Sequence, residues 1–113
     1  MKKIILDTDL GSDCDDAGAL ALLYSARNAG LIDLRAVTLS TGNPWAAACA
    51  EAIGRHYGAR VPLGAPAAAI PGEAGARFSQ SFAKTVAEKY GAGRTETVNS
   101  VSLLRRTLSA NEG

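Results

Sequence analysis

The chain has 113 residues, enough for one small domain and not two. Its apolar fraction of 47% and charged fraction of 20% are those of an ordinary globular protein. A net charge of +1, no basic run longer than Arg105-Arg106 and few aromatic residues argue against a nucleic-acid-binding surface.

In chain order, residues 2–8 read as a buried strand, because Ile4, Ile5 and Leu6 are continuous rather than alternating, as in a parallel sheet covered on both faces. The two lysines and this short apolar run are too little for a signal peptide or a membrane span, so a cytoplasmic protein without membrane contact is expected. Five carboxylates follow within ten residues: Asp7, Asp9, Asp13, Asp15 and Asp16. Bare carboxylates at that density raise one another's pKa unless a cation or a ring of donors offsets the charge. A packed fold gains little from such a cluster, so function explains it better. Asp15 or Asp13 can cap a helix whose apolar positions Ala17, Leu20, Ala21, Leu23 and Tyr24 share one face, and Gly30 ends it.

A second strand is expected over 33–39. Asn43 then suits a helix N-cap and Pro44 the first helical position, opening a helix over 44–57 that Gly58 closes. Residues 60–63 form a third short strand. Residues 64–76, rich in Gly, Ala and Pro, read as a loop long enough to serve as a lid or binding loop. A helix over 78–90, a polar linker over 92–96 and a last helix over 97–108 complete the chain, the last with Val98, Val101, Leu104 and Leu108 inward. The order β-α-β-α-β-loop-α-α is the N-terminal part of a doubly wound, mostly parallel, Rossmann-like α/β sheet, a single incomplete domain. In such sheets ligands bind at the carboxyl ends of the strands. The aspartates follow the first strand and Asn43 the second, so both signals fall on one edge.

Cys14 and Cys49 stand outside any Cys-x-x-Cys pattern and read as free thiols in a reducing compartment. His56 in a last helical turn reads as a dipole or surface residue, and Trp45 as packing at a helix start. Asp15 also has a plain reading as an N-cap with Asp16 beside the helix dipole, and Asn43 reads equally as a cap or as a substrate contact.

An EF-hand fails at once, since counting from Asp7 puts Gly11 and Gly18 where oxygen ligands are needed. A haloacid-dehalogenase-like phosphatase start would use Asp7-Thr8-Asp9 with Asp7 as nucleophile, but leaves Asp15-Asp16 unexplained. Asp7-Thr8-Asp9-Leu10-Gly11 followed by Asp15-Asp16-Ala17 resembles the N-terminal signature of the inosine-uridine-preferring nucleoside hydrolase family, Asp-x-Asp-Pro-Gly-x-Asp-Asp-Ala. Leu10 replaces the proline and two extra residues precede the Asp pair. The likeness continues weakly through Gly42-Asn43, the 61–64 segment and the 102–106 helix, so only the first 17 residues are specific.

The resemblance implies Ca²⁺-dependent hydrolysis of the N-glycosidic bond of ribonucleosides, of the kind used in purine and pyrimidine salvage. Asp9 and Asp16 would be metal ligands, with Asp9 also the general base. Asp15 would hold ribose hydroxyls, Asn43 would contact the sugar, and Asp7 and Asp13 would stand behind the ligands or in the pocket wall. It also implies a longer parent chain, supplying another metal ligand and the groups that bind or protonate the leaving base, or completion by another chain, including a second copy. The competing reading is a non-catalytic remnant or weak cation-binding module.

Overall fold

The structure, a computed structural model, describes residues 1–10, 15–41, 43–66, 82–90 and 97–110. Its elements run β1 (Lys2–Thr8), α1 (Asp15–Asn28), β2 (Ile32–Leu39), α2 (Ala46–His56), β3 (Leu63–Ala65), α3 (Phe82–Tyr90), β4 (Val98–Asn99) and α4 (Ser100–Ala110). The strands form one parallel sheet in the order β1-β2-β3-β4. This is the expected α/β, Rossmann-like arrangement, and no helix among the described residues is long and apolar enough to cross a membrane.

Alternation along the strands explains where each side chain goes. Ile4, Leu6 and Thr8 pair with Leu34, Val37 and Leu39, while Ile5 and Asp7 pair with Ala36 and Thr38. Leu34 and Val37 are three apart and would face opposite ways in a regular strand. The register shift between Ile4 and Ile5 leaves Arg35 as an extra residue, exposed and ion-paired to Asp33 at 2.8 Å, and this brings both apolar side chains into one core. That core joins β2 to Leu20 and Tyr24 of α1, Ala46, Cys49 and Ala50 of α2, and Ala83 of α3. The other face of the sheet is met by α4, which packs on β2 and β3. Cys49 is a free thiol as expected, and its burial pushes its pKa up to about 11; Cys14 lies outside the described residues.

The first two helices end as the glycines foretell. Gly30 (φ 75°) follows α1, with its N–H donating to the Arg27 carbonyl and that of Leu31 to Ala26. Gly58 (φ 64°) follows α2, with its N–H donating to Arg55 and that of Ala59 to Gly54. Each is a Schellman closure, in which a left-handed residue satisfies the last carbonyls. The Asn28 amide then donates to the Tyr57 carbonyl at 2.7 Å, and the Tyr24 and Tyr57 rings stack at 6.1 Å, fastening the two helix ends together. Trp45 packs at the start of α2 against the core, with the Lys84 ammonium 5.5 Å from its ring centre, in keeping with its packing role.

Four expectations are corrected. First, β1 is only half-buried at Ile4, Ile5 and Leu6, because among the described residues it is an edge strand paired to β2 alone. Second, the third strand is Leu63–Ala65 rather than 60–63, so Gly64 and Ala65 belong to the sheet rather than to a loop; positions 67–76 of that expected loop lie outside the described residues. Third, Val98 and Asn99 form a fourth strand before the last helix, where only helix is expected. Fourth, α4 turns a different face inward. Ser100 and Leu103 are buried, whereas Val101 is 72% and Leu108 61% exposed.

The cause of the last change lies at the helix start. Asn99 Oδ1 caps α4 by accepting the Ser102 N–H at 3.0 Å, and the Ser100 hydroxyl donates to the Leu39 carbonyl at 2.9 Å. This seats the first turn directly over Gly64, where a Cβ would stand 2.8 Å from the Ser100 Cα. Gly64→Ala is therefore expected to destabilise the fold by about 1–3 kcal/mol through overpacking. Urea denaturation checks this; an unchanged midpoint would mean that α4 does not press on β3.

Candidate functional site

The carboxyl end of β1 carries the densest chemistry of the chain. Neighbouring positions on a strand point to opposite faces, and the aspartates are sorted accordingly. Asp7 pairs in register with Thr38, and the fully buried Thr38 hydroxyl donates to Asp7 Oδ1 at 2.7 Å, on the face where α4 packs. Thr8 points to the other face, is itself buried, and donates to Asp16 Oδ2 in the first turn of α1 at 2.9 Å.

Asp9 comes next and meets Asp16. The Asp9 carboxyl, the Thr8 hydroxyl and the Asp9 backbone N–H all hydrogen-bond to the Asp16 carboxyl and hold it below its ordinary value of 3.8, against a smaller opposing push from burial. Two carboxyl groups in contact share either a proton or a cation. Leu10, directly after Asp9, is fully buried in the core and pins the backbone that carries it.

Asp15 is the first residue of α1 and is exposed. Asp13 lies outside the described residues. Asn43 is buried, and its side-chain oxygen accepts the Trp45 N–H at 2.9 Å, while its own N–H donates to the Thr41 hydroxyl at 3.2 Å. The expected cap at Asn43 is corrected: α2 opens at Ala46 rather than at 44, Trp45 stands at its N-cap position with no side-chain cap, and Asn43 instead closes an Asx turn just ahead of the helix. The Ser40 N–H donates to the Thr8 carbonyl at 2.9 Å and ties the ends of β1 and β2 into one edge. Asp9 and Asp16 are therefore brought together, Asp7 is held on the opposite face, and Asn43 braces its own turn.

Thr8 and Thr38 are the residues that a reading focused on carboxylates overlooks. The signal for Thr8 is its place between two aspartates on a strand, where alternation must aim it at the helix that follows. Thr38 could be found only from the register of β2 against β1.

A hard cation such as Ca²⁺ takes six to eight oxygens. The Asp9–Asp16 pair offers ligands of the right kind, but among the described residues no group of three or more His, Cys, Asp or Glu side chains is arranged to hold a metal. The pair fits as one corner of such a site and not as the whole of it.

The Asp16 interactions make a pH prediction. A carboxyl with a folded-state pKa below 3.8 contributes stability that is present above that value and is lost as pH falls through the folded pKa. Thr8→Val keeps the shape and removes one donor, so it lowers stability at about pH 7 and costs progressively less below about pH 4. Thermal melts across that range check it; a constant difference between the two proteins would show that the hydroxyl does not favour the ionised form.

Comparison with protein-family models finds no match to the chain, and a search of curated proteins finds none.

Proposed function

We propose that the chain carries the ribose- and cation-binding edge of a ribonucleoside hydrolase, acting in the cytoplasm as part of a longer parent protein. The observation that supports this most is the meeting of Asp9 and Asp16 where β1 enters α1, with Thr8 holding one oxygen of Asp16. The free edge of β1 adds support. Among the described residues no strand pairs with it, and beside the first strand is where a doubly wound sheet reverses direction and binds ligand.

In this reading Asp9 and Asp16 would hold Ca²⁺. The cation would supply acidity to the attacking water and an anchor for sugar hydroxyls. Asp9 takes a proton from the water that adds to the anomeric carbon as the bond to the nucleobase breaks. Asp15, exposed at the head of α1, binds ribose hydroxyls, and Asn43 closes the sugar end of the pocket. Asp7, fixed by Thr38, and Asp13 contribute negative charge. Carboxylates beside the sugar would stabilise the positive charge that develops on it, which is electrostatic stabilisation with the sign reversed.

The test is a calorimetric titration of the 113-residue chain with CaCl₂, alongside chromatographic assay of base release from inosine and uridine by the parent protein. Saturable Ca²⁺ binding with Ca²⁺-dependent base release supports the reading, and the absence of both sinks it. The limited carboxylate set among the described residues favours a second reading, a weak cation-binding module without turnover. Ca²⁺ binding with no base release would select that one.

A further inference from the structure

At the opposite end of the sheet, between the last turns of α2 and the segment entering β3, lies an open cleft of about 670 Å³. Small-molecule sites span about 300–1,000 Å³, so the volume suits a ligand of moderate size. Tyr24, Gly54, Arg55, Arg60, Val61 and Leu63 are among its lining residues. We infer that this cleft binds a small organic anion, a single carboxylate or phosphate group on an apolar body.

Three features converge on that chemistry. Tyr24 is only 4% exposed, and it lines the cleft. A ligand oxygen in the cleft would accept a hydrogen bond from its hydroxyl. Burial also pushes the Tyr24 pKa up, so the group stays a neutral donor at neutral pH.

Gly54 makes room for that donor, since a Cβ there would stand 3.1 Å from the Tyr24 hydroxyl oxygen. The charge in the cleft is positive on balance. Arg55 is engaged by the Tyr90 carbonyl and by Glu51 at 3.8 Å, whereas Arg60 has no ion-pair partner among the described residues. The α2 carbonyls that would repel an anion here are already taken, Gly54 by the Ala59 N–H and Arg55 by the Gly58 N–H. Val61, Pro62 and Leu63 supply the apolar wall that an organic body needs. The site lies at the amino ends of the strands, away from the aspartates, and does not depend on the hydrolase reading.

The experiment is an NMR titration of the ¹⁵N-labelled 113-residue chain with phenyl phosphate, benzoate and inorganic phosphate. Saturable shifts are expected at the amides of Gly54, Ala59 and Val61 with one or both organic anions, and the tighter of the two identifies the preferred head group. Inorganic phosphate should bind at least about tenfold more weakly, lacking the apolar body. Arg60→Gln should weaken binding by about 5–20-fold, and Tyr24→Phe by about 3–10-fold. Arg60 is exposed, so its replacement reports on the cleft without endangering the fold. No saturable shift up to about 10 mM, a range that covers even weak fragments, would overturn the inference. Equal binding by the Arg60→Gln chain, or inorganic phosphate binding as well as phenyl phosphate, would overturn it too.

Discussion

Under the hydrolase reading proposed above, Asp9→Asn is expected to abolish Ca²⁺ binding by the chain and to lower base release by a parent protein by about 10²–10⁴-fold, the usual contribution of a positioned general base. The substitution keeps size and hydrogen-bonding capacity while removing the charge and the proton acceptor. Asp9 is exposed, so the melting temperature should move little, and a loss of function cannot then be assigned to unfolding. Asp16→Asn should lose Ca²⁺ binding as well, since the two carboxyls meet. A parent protein that kept its normal rate with Asp9→Asn would refute the assignment of the base, and one that kept its Ca²⁺ affinity would refute the ligand.

Leu10→Ala carries the largest expected cost to stability, about 2–5 kcal/mol. Leu10 is 0% exposed and packs into the core with Leu20 and Leu39. Removing it leaves a cavity at the point where the chain leaves β1 for α1. Total stability of a small domain is only about 5–15 kcal/mol, so the effect should be plain in a urea melt. The same change should loosen Asp9 and weaken Ca²⁺ binding, which links packing to the site. Leu10→Met, nearly volume-conserving, should restore most of both. A melt unchanged in Leu10→Ala would show that the leucine is not held in the core.

Much of the architecture was legible in local signals. The continuous apolar run before the aspartates marked β1, the 3.6-residue spacing of Leu20 and Tyr24 marked the inner face of α1, and Gly30 and Gly58 marked two helix ends. These features depend on neighbours within a turn or two, where propensity and capping chemistry suffice. Asn43 was legible as a turn former but not as the cap of α2, since its side chain satisfies the Trp45 N–H ahead of the helix and no side chain caps Ala46 onward.

What the tertiary structure alone decided were relations between distant segments. A two-residue strand such as Val98–Asn99 has no periodicity, and it exists because β3 is present to pair with it. The inward face of α4 differs from the one its apolar stripe predicts, because Ser100 seated on the Leu39 carbonyl and the bare Gly64 surface set the helix rotation more firmly than hydrophobic spacing does. Thr38 holds Asp7 only through a register that a local pattern does not specify. By itself the sequence determined which residues are chemically capable at the edge of β1. Which carboxylates meet, and which are held on opposite faces, was decided by strand alternation and helix docking, since side-chain contact depends on the path of the whole chain.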